Sequence, residues 1–273
     1  MIDLIKNILR PCVRTIKLLI RLNLSKTIYF NFATQPFSVA VRFPFFIYGK
    51  FHIHILKGQV KINSKVTRGM IKIGYREFDL APISFLPNQY LNTGKLIFNG
   101  PAIVSGGVSL SINGGLLNIG SCCTIGGGTL IKATNEIFIG ANTRITFGCV
   151  VFDSNIHYVK NITTGVIKNN NGPVFIGSNC WINSGAYIVK DALIPDYSIV
   201  ARNSLVNKDF SKDGYNLFIV GSPAKVAANN VQRIFSINEE ARLSSFFDEN
   251  DLTEYQSEQG LFVDRNEIFD KHL

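Results

Sequence analysis

The sequence predicts an all-β chain wound as a parallel β-helix, and three observations predict it. Aliphatic residues recur every six positions: Ile176, Ile182, Ile188, Ile194, Val200 and Val206 follow one another without a slip. The same frame stands upstream as Ile119, Ile125 and Ile131 and, after two extra residues, as Ile139, Ile145 and Val151. Glycine directly follows the aliphatic residue at Gly120, Gly126, Gly140 and Gly177. Positions six apart scatter around a helix, so the period is not helical. Hairpins would need turn signals about every 8–12 residues. Six residues make one short strand and one corner, and three such units close a triangular turn. The aliphatic residue points inward and small or polar residues take the corner. Stacked turns then share a column of Ile and Val.

Composition agrees with a turn-rich β protein: 23 glycines and only 17% charged residues in 273, with 46% hydrophobic residues to fill a core. Residues 1–50 read as a helical and then irregular segment that includes the aromatic run Phe43, Phe45, Phe46 and Tyr48. Residues 51–220 read as the β-helix domain, ragged over Phe51–Gly74, with a polar insertion at 158–173. Residues 221–273 read as a C-terminal tail, helical over Pro223–Phe247.

Charge is unevenly spread around a formal net of +9. Residues 1–80 hold fourteen Lys or Arg against three acids, and from Ser236 onward ten acids face three bases. A basic front half points to an anionic partner. No helix-turn-helix, zinc-finger or RNP pattern supports nucleic acid. In residues 1–24, Ile5, Ile8, Leu9, Cys12, Ile16, Leu19 and Ile20 recur at helical spacing beside the basic stripe Lys6, Arg10, Arg14, Lys17 and Arg21. Charges throughout exclude a spanning helix and a secretory signal. An amphipathic basic helix lies on an anionic membrane surface or packs on the protein body. Five cysteines, odd in number and without a CxxC pair, fit a reducing cytoplasm better than a disulfide framework.

Four histidines, His52, His54, His157 and His272, limit where imidazole chemistry can sit. His157 stands where the six-residue frame breaks, at the mouth of the insertion, which makes it the candidate site position. A neutral imidazole there can take a proton from an attacking hydroxyl or amine. Asp153 is the nearest acid, placed to orient the ring. A zinc site needs three His-type ligands and the repeat supplies one, so no metal is expected.

Three segments carry a family resemblance. Asp153–Ser154–Asn155–Ile156–His157 resembles the D-x-D-F-H segment of capsule and lipopolysaccharide acetyltransferases, with Asn155 and Ile156 replacing the second acid and the aromatic. Asn179–Cys180–Trp181–Ile182–Asn183–Ser184–Gly185 resembles their N-x-W-I-G segment, with Asn183 for the usual glycine. Gly221–Ser222–Pro223–Ala224–Lys225 matches their G-x-P-A-[KR] ending. The chain is thus similar to the hexapeptide-repeat acyltransferases over roughly Ile97–Lys225. The resemblance implies a left-handed coil and transfer of an acetyl group from acetyl-CoA to a sugar hydroxyl in surface-polysaccharide biosynthesis. It implies His157 as general base, with Asn155 and Trp181 near the acceptor. Ser184, with Gly185 beside it in the acyl-CoA tunnel, would offer an amide to the thioester oxygen, and Lys225 would meet a coenzyme A phosphate. Arg202 departs from the family's usual small residue there; on an outward corner beside that groove it reaches a phosphate or is an ordinary surface arginine. It further implies a homotrimer with sites between neighbours. N-acetylation of an amino nucleotide-sugar remains a second reading, and a non-catalytic structural β-helix a third. A Cys149 acyl-enzyme would need a second Cys–His pairing that the sequence does not show.

Overall fold

Ile182 lies beside Val200, three hexads further along the chain, in a parallel ladder. The same stacking joins Ile188 to Val206 and Ile176 to Ile194. Three hexads therefore close one turn, and the chain forms the left-handed parallel β-helix of six-residue repeats. The structure, a computed structural model, describes residues 21–76, 86–250 and 252–257. Among these, the strands fall into sheets of nine, seven and six. The first sheet runs from Phe45–Ile47 to Lys225–Ala228, the second from Phe51–Leu56 to Leu205–Val206, and the third from Gln59–Ile62 to Leu193–Ile194.

All twelve hexad residues, from Ile119 to Val206, are at most 1% exposed. Burying each aliphatic side chain stabilises the fold by roughly 1.5–3 kcal/mol relative to leaving it in water. The two extra residues after Ile131 widen the corner between the second and third sheets, where Thr134 and Asn135 bend the chain. At the corner between the third and first sheets, successive turns stack backbone on backbone. A Cβ on Gly140 would come within 2.4 Å of the Gly177 carbonyl carbon, which is why glycine follows the aliphatic residue here.

The coil starts earlier than the sequence reading has it. Phe45–Ile47, read as irregular, is the first strand and pairs with Ile71–Ile73. Three residues are too short to register as a hexad. Helix α1 (Leu24–Thr34) closes this open end. Phe30 inserts its ring among Phe45, Phe51 and Tyr90, with centroids 5.1, 5.7 and 5.3 Å away. Asn31 Nδ2 donates to the Phe45 carbonyl (2.8 Å) and Asn31 Oδ1 accepts the Phe45 amide (3.1 Å). The Ile47 amide donates to Thr27 Oγ1 (3.0 Å). The helix thus covers an edge strand that would otherwise present unpaired backbone groups. A short helix, α2 (Phe37–Ala40), follows. The amphipathic helix expected over residues 1–24 lies outside the described residues except for its last four.

At the other end, the tail differs from the helix expected over Pro223–Phe247. Lys225–Ala228 turns back antiparallel onto Phe218–Val220 and ends the first sheet. Helix α3 (Ile237–Glu249) begins only at Ser236, whose side chain accepts the Glu239 amide. The open sheet edge takes this segment as a strand, and Pro223 and β-branched Val226 disfavour a helix there.

Candidate active site

The insertion is an ordered hairpin-like loop at the corner between the second and third sheets. Asn155 N donates to Asn170 O (2.8 Å) and Gly172 N to Asp153 O (2.9 Å), which fastens its base. Bridges pair Ser154 with Asn171 and Lys160 with Ile167. Asn161 Oδ1 accepts the amides of Thr163 and Thr164 at 3.0 and 2.9 Å, closing the tip. Tyr158, Val159, Ile162, Val166 and Ile167 remain between 53 and 93% exposed, an apolar surface that a loop in water does not ordinarily keep.

His157 sits in this loop, exposed, with its amide donating to Asn155 O (2.7 Å). Its imidazole has no hydrogen-bond partner among the described residues. It lines a cavity of about 590 Å³ together with Asn155, Lys160, Lys168 and Lys190. The cavity lining contains no acid, although Lys190 pairs with neighbouring Asp191 at 2.9 Å. The sequence reading missed these lysines; the signal was present, since 158–173 holds Lys160 and Lys168 and no acid.

Asp153 does not orient His157. It is fully buried, and its carboxylate accepts the Thr134 amide (2.8 and 3.0 Å), the Thr134 hydroxyl (2.8 Å) and the Asn135 amide (2.7 Å). It fixes the widened corner of the preceding turn.

The residues assigned to coenzyme A occupy a different edge of the prism, between the first and second sheets. Because Ile182 pairs with Val200, Ser184 and Arg202 stand at matching corner positions in successive turns. Lys225 pairs with Val220 one level further on. Asn203 N donates to Ser184 O (3.1 Å), and Ser184 Oγ meets Thr146 Oγ1 at 3.0 Å. The Gly185 amide is engaged by Phe147 O (3.2 Å), whereas among the described residues the Ser184 amide has no acceptor. The corner repeats, so Phe147 and Arg202 also present free amides. Gly185 is required as glycine: its φ is +72°, and a Cβ would lie 2.2 Å from Asn203 Oδ1.

Trp181 lies on the outer face of the first sheet, between Arg144 and Ile199. The Arg233 guanidinium of the tail stacks over its ring at 4.9 Å. It is brought neither to His157 nor to the loop cavity. Among the described residues the cysteines, all buried, supply no nucleophile. Cys149 is buried and donates to Asn183 O (3.2 Å), and burial pushes its thiol up to about 11. Among the described residues, no group of three His, Cys, Asp or Glu side chains is placed to hold a metal, and no helix is long and apolar enough to cross a membrane.

No protein-family model matches the sequence, and neither does any curated protein. Solved structures of acyltransferases are similar. The polySia-specific acetyltransferase NeuO shares 16% identity at a TM-score of 0.48, over 79% of this chain and 91% of that one. A mutant of AntD, an N-acyltransferase from Bacillus cereus, solved with dTDP and coenzyme A, shares 13% at 0.39, over 74 and 91%. The hexapeptide-repeat acetyltransferase VCA0836 from Vibrio cholerae O1 biovar eltor, solved with acetyl coenzyme A, shares 17% at 0.35, over 52 and 69%. At such identities, residue roles do not transfer from them.

Proposed function

We propose that this protein transfers an acetyl group from acetyl-CoA to a hydroxyl of an acidic sugar in surface-polysaccharide biosynthesis, in the cytoplasm, with His157 as general base. The observation that carries the reading is an unencumbered imidazole in a cavity lined by Lys160, Lys168 and Lys190 and by no acid. Lysines around the acceptor favour a sugar that bears a carboxylate or phosphate. The imidazole takes the hydroxyl proton as the oxygen attacks the thioester carbonyl. Collapse of the tetrahedral adduct breaks the C–S bond, and the coenzyme A thiolate recovers the proton from the imidazolium. An outward amide of the Ser184 type stabilises the developing oxyanion, and Arg202 and Lys225 face the phosphates of coenzyme A.

The two halves of this machinery lie on different edges of one prism. From Gly185 to Asp191, one side spans at most about 20 Å, at roughly 3.3 Å per residue. A homotrimer resolves the separation by setting the His157 loop of one chain against the Ser184–Arg202–Lys225 corner of the next, and it covers the apolar loop surface. N-acylation of an amino sugar uses the same base and the same amide, so the acceptor decides between them. The test is product mass spectrometry with acetyl-CoA and matched neutral, acidic and amino sugars. O-acetylation of the acidic sugars is expected. Transfer confined to amino sugars, or to none, would reject the proposal.

A further inference from the structure

Helix α1 is oriented against the usual rule for a surface helix, in which the apolar face turns to the core. Its polar Thr27 and Asn31 are buried with Phe30, because they satisfy the edge strand Phe45–Ile47. Leu24, Ile28, Tyr29 and Phe32 consequently face outward at 61, 43, 53 and 43% exposure, and Phe37 of α2 continues the patch at 75%. The Phe32 ring meets those of Phe37 and Phe43, each at 6.0 Å, so the patch is continuous. Among the described residues its surroundings are basic. Residues 21–76 contain ten Lys or Arg and no Asp or Glu. Exposed Arg42 follows directly on Val41. Arg68 precedes Gly69, whose amide donates to Phe43 O (2.9 Å), and Lys61 follows Val60, whose carbonyl accepts Gln35 Nε2 (3.1 Å).

We propose that this capped end of the β-helix is a docking surface for an anionic lipid bilayer. Apolar and aromatic side chains enter the interface while Arg42, Lys61 and Arg68 meet the headgroups. Charge selects this occupant over two others. A second copy would bring the same basic residues against it. Residues 1–20 add four bases and one acid, so they supply no complementary charge either. The prism axis then stands away from the membrane, with successive turns, and the His157 loop, stacked outward from it.

The experiment is vesicle flotation of the full chain, with phosphatidylcholine alone or with added phosphatidylglycerol. The wild type should float with the phosphatidylglycerol vesicles, less as salt rises, and not with phosphatidylcholine alone. The pair Ile28→Glu/Phe32→Glu, which alters only outward side chains of α1, should lower the bound fraction at least about ten-fold. The pair Arg42→Glu/Arg68→Glu should do the same without touching the apolar patch. Phe247→Glu, at the opposite end of the described chain, should float like the wild type. Three results would overturn the proposal: undiminished flotation of both pairs, a fall in oligomer mass in the Ile28/Phe32 pair with lipid binding intact, or complete loss of flotation on deleting residues 1–20. Acetyl transfer enters none of these readouts.

Discussion

The Asp153 carboxylate takes both the amide and the hydroxyl of Thr134, at 2.8 Å each to Oδ1, and so belongs to the corner of the preceding turn. His157, four residues further on, receives nothing from it. The acid nearest in sequence to the candidate base is therefore a structural group, and the two residues should fail differently when changed.

Asp153→Ala should destabilise the fold by about 1–3 kcal/mol, the cost of leaving buried donors unpaired. The Thr134 and Asn135 amides and the Thr134 hydroxyl lose the buried acceptor that holds the corner. Urea denaturation reads the loss. Turnover per folded molecule should stay within a few-fold of wild type; a collapse of turnover with unchanged stability would restore a catalytic role to Asp153.

His157→Ala should show the reverse: an unchanged denaturation midpoint and turnover lower by about 10²–10⁴-fold. The side chain is exposed and unpartnered, so its removal disturbs no packing. Acetyl-CoA affinity, read by calorimetry, should hold. Near wild-type turnover would remove the general base from the proposed mechanism.

The coil was legible in the sequence because one inward aliphatic per six residues is a geometric demand of the fold, and every hexad residue from Ile119 to Val206 is in the core. The turn before Ile97 was less legible. There the inward positions are held by Phe45, Phe51 and Tyr90, packed against Phe30, and mixed residue sizes blur the six-residue signal. His157 was legible from the break in the frame. The destination of the Asp153 carboxylate was not, because the corner it holds lies nineteen residues back and becomes its neighbour only through coiling. Trp181 was placed at the acceptor by resemblance; its cover, Arg233, comes from a tail without any repeat to position it.

Lys160→Ala and Lys168→Ala should raise KM for an acidic acceptor about ten-fold each, in keeping with loss of a charged hydrogen-bond donor. KM for acetyl-CoA should not move, because the proposed phosphate contacts are Arg202 and Lys225 and not the loop lysines. Steady-state kinetics with each substrate varied separately makes the distinction. Equal effects on both constants would place the lysines at coenzyme A.

The buried thiols predict an alkaline limit to stability. Burial pushes Cys149 up from 9.0 to about 11 and Cys123 and Cys180 up to about 12. A pKa raised by folding stabilises the native state fully below the ordinary thiol pKa and loses that contribution as pH climbs toward the folded value. Unfolding free energy should therefore be insensitive to these groups at pH 8 and fall between about pH 9 and 12. Replacing Cys123 and Cys180 by alanine should flatten that fall, and in the native wild type at pH 8 a thiol reagent should leave Cys122, Cys123, Cys149 and Cys180 unmodified. A slope unchanged by the replacements would show that other groups set the limit.

Separation of the two half-sites along different edges leads to a quantitative test of the shared site. Consider His157→Ala, defective in the loop, and Arg202→Glu/Lys225→Glu, defective at the coenzyme corner, each inactive alone. In a closed three-fold ring every interface joins the loop of one chain to the corner of the next. When the two variants co-assemble at random in equal amounts, an interface is intact only where the loop comes from the corner variant and the corner from the loop variant. Each condition holds for about half of the chains, so about one quarter of the sites should recover. If instead one chain carried its own complete site, every site would keep one defect and mixing would restore nothing. Activity near a quarter of wild type in the co-expressed mixture, with none in the separately purified variants mixed without exchange, is the expected result. Zero recovery in a mixed trimer confirmed by mass would place loop and corner in a single chain and remove the reason for the trimer.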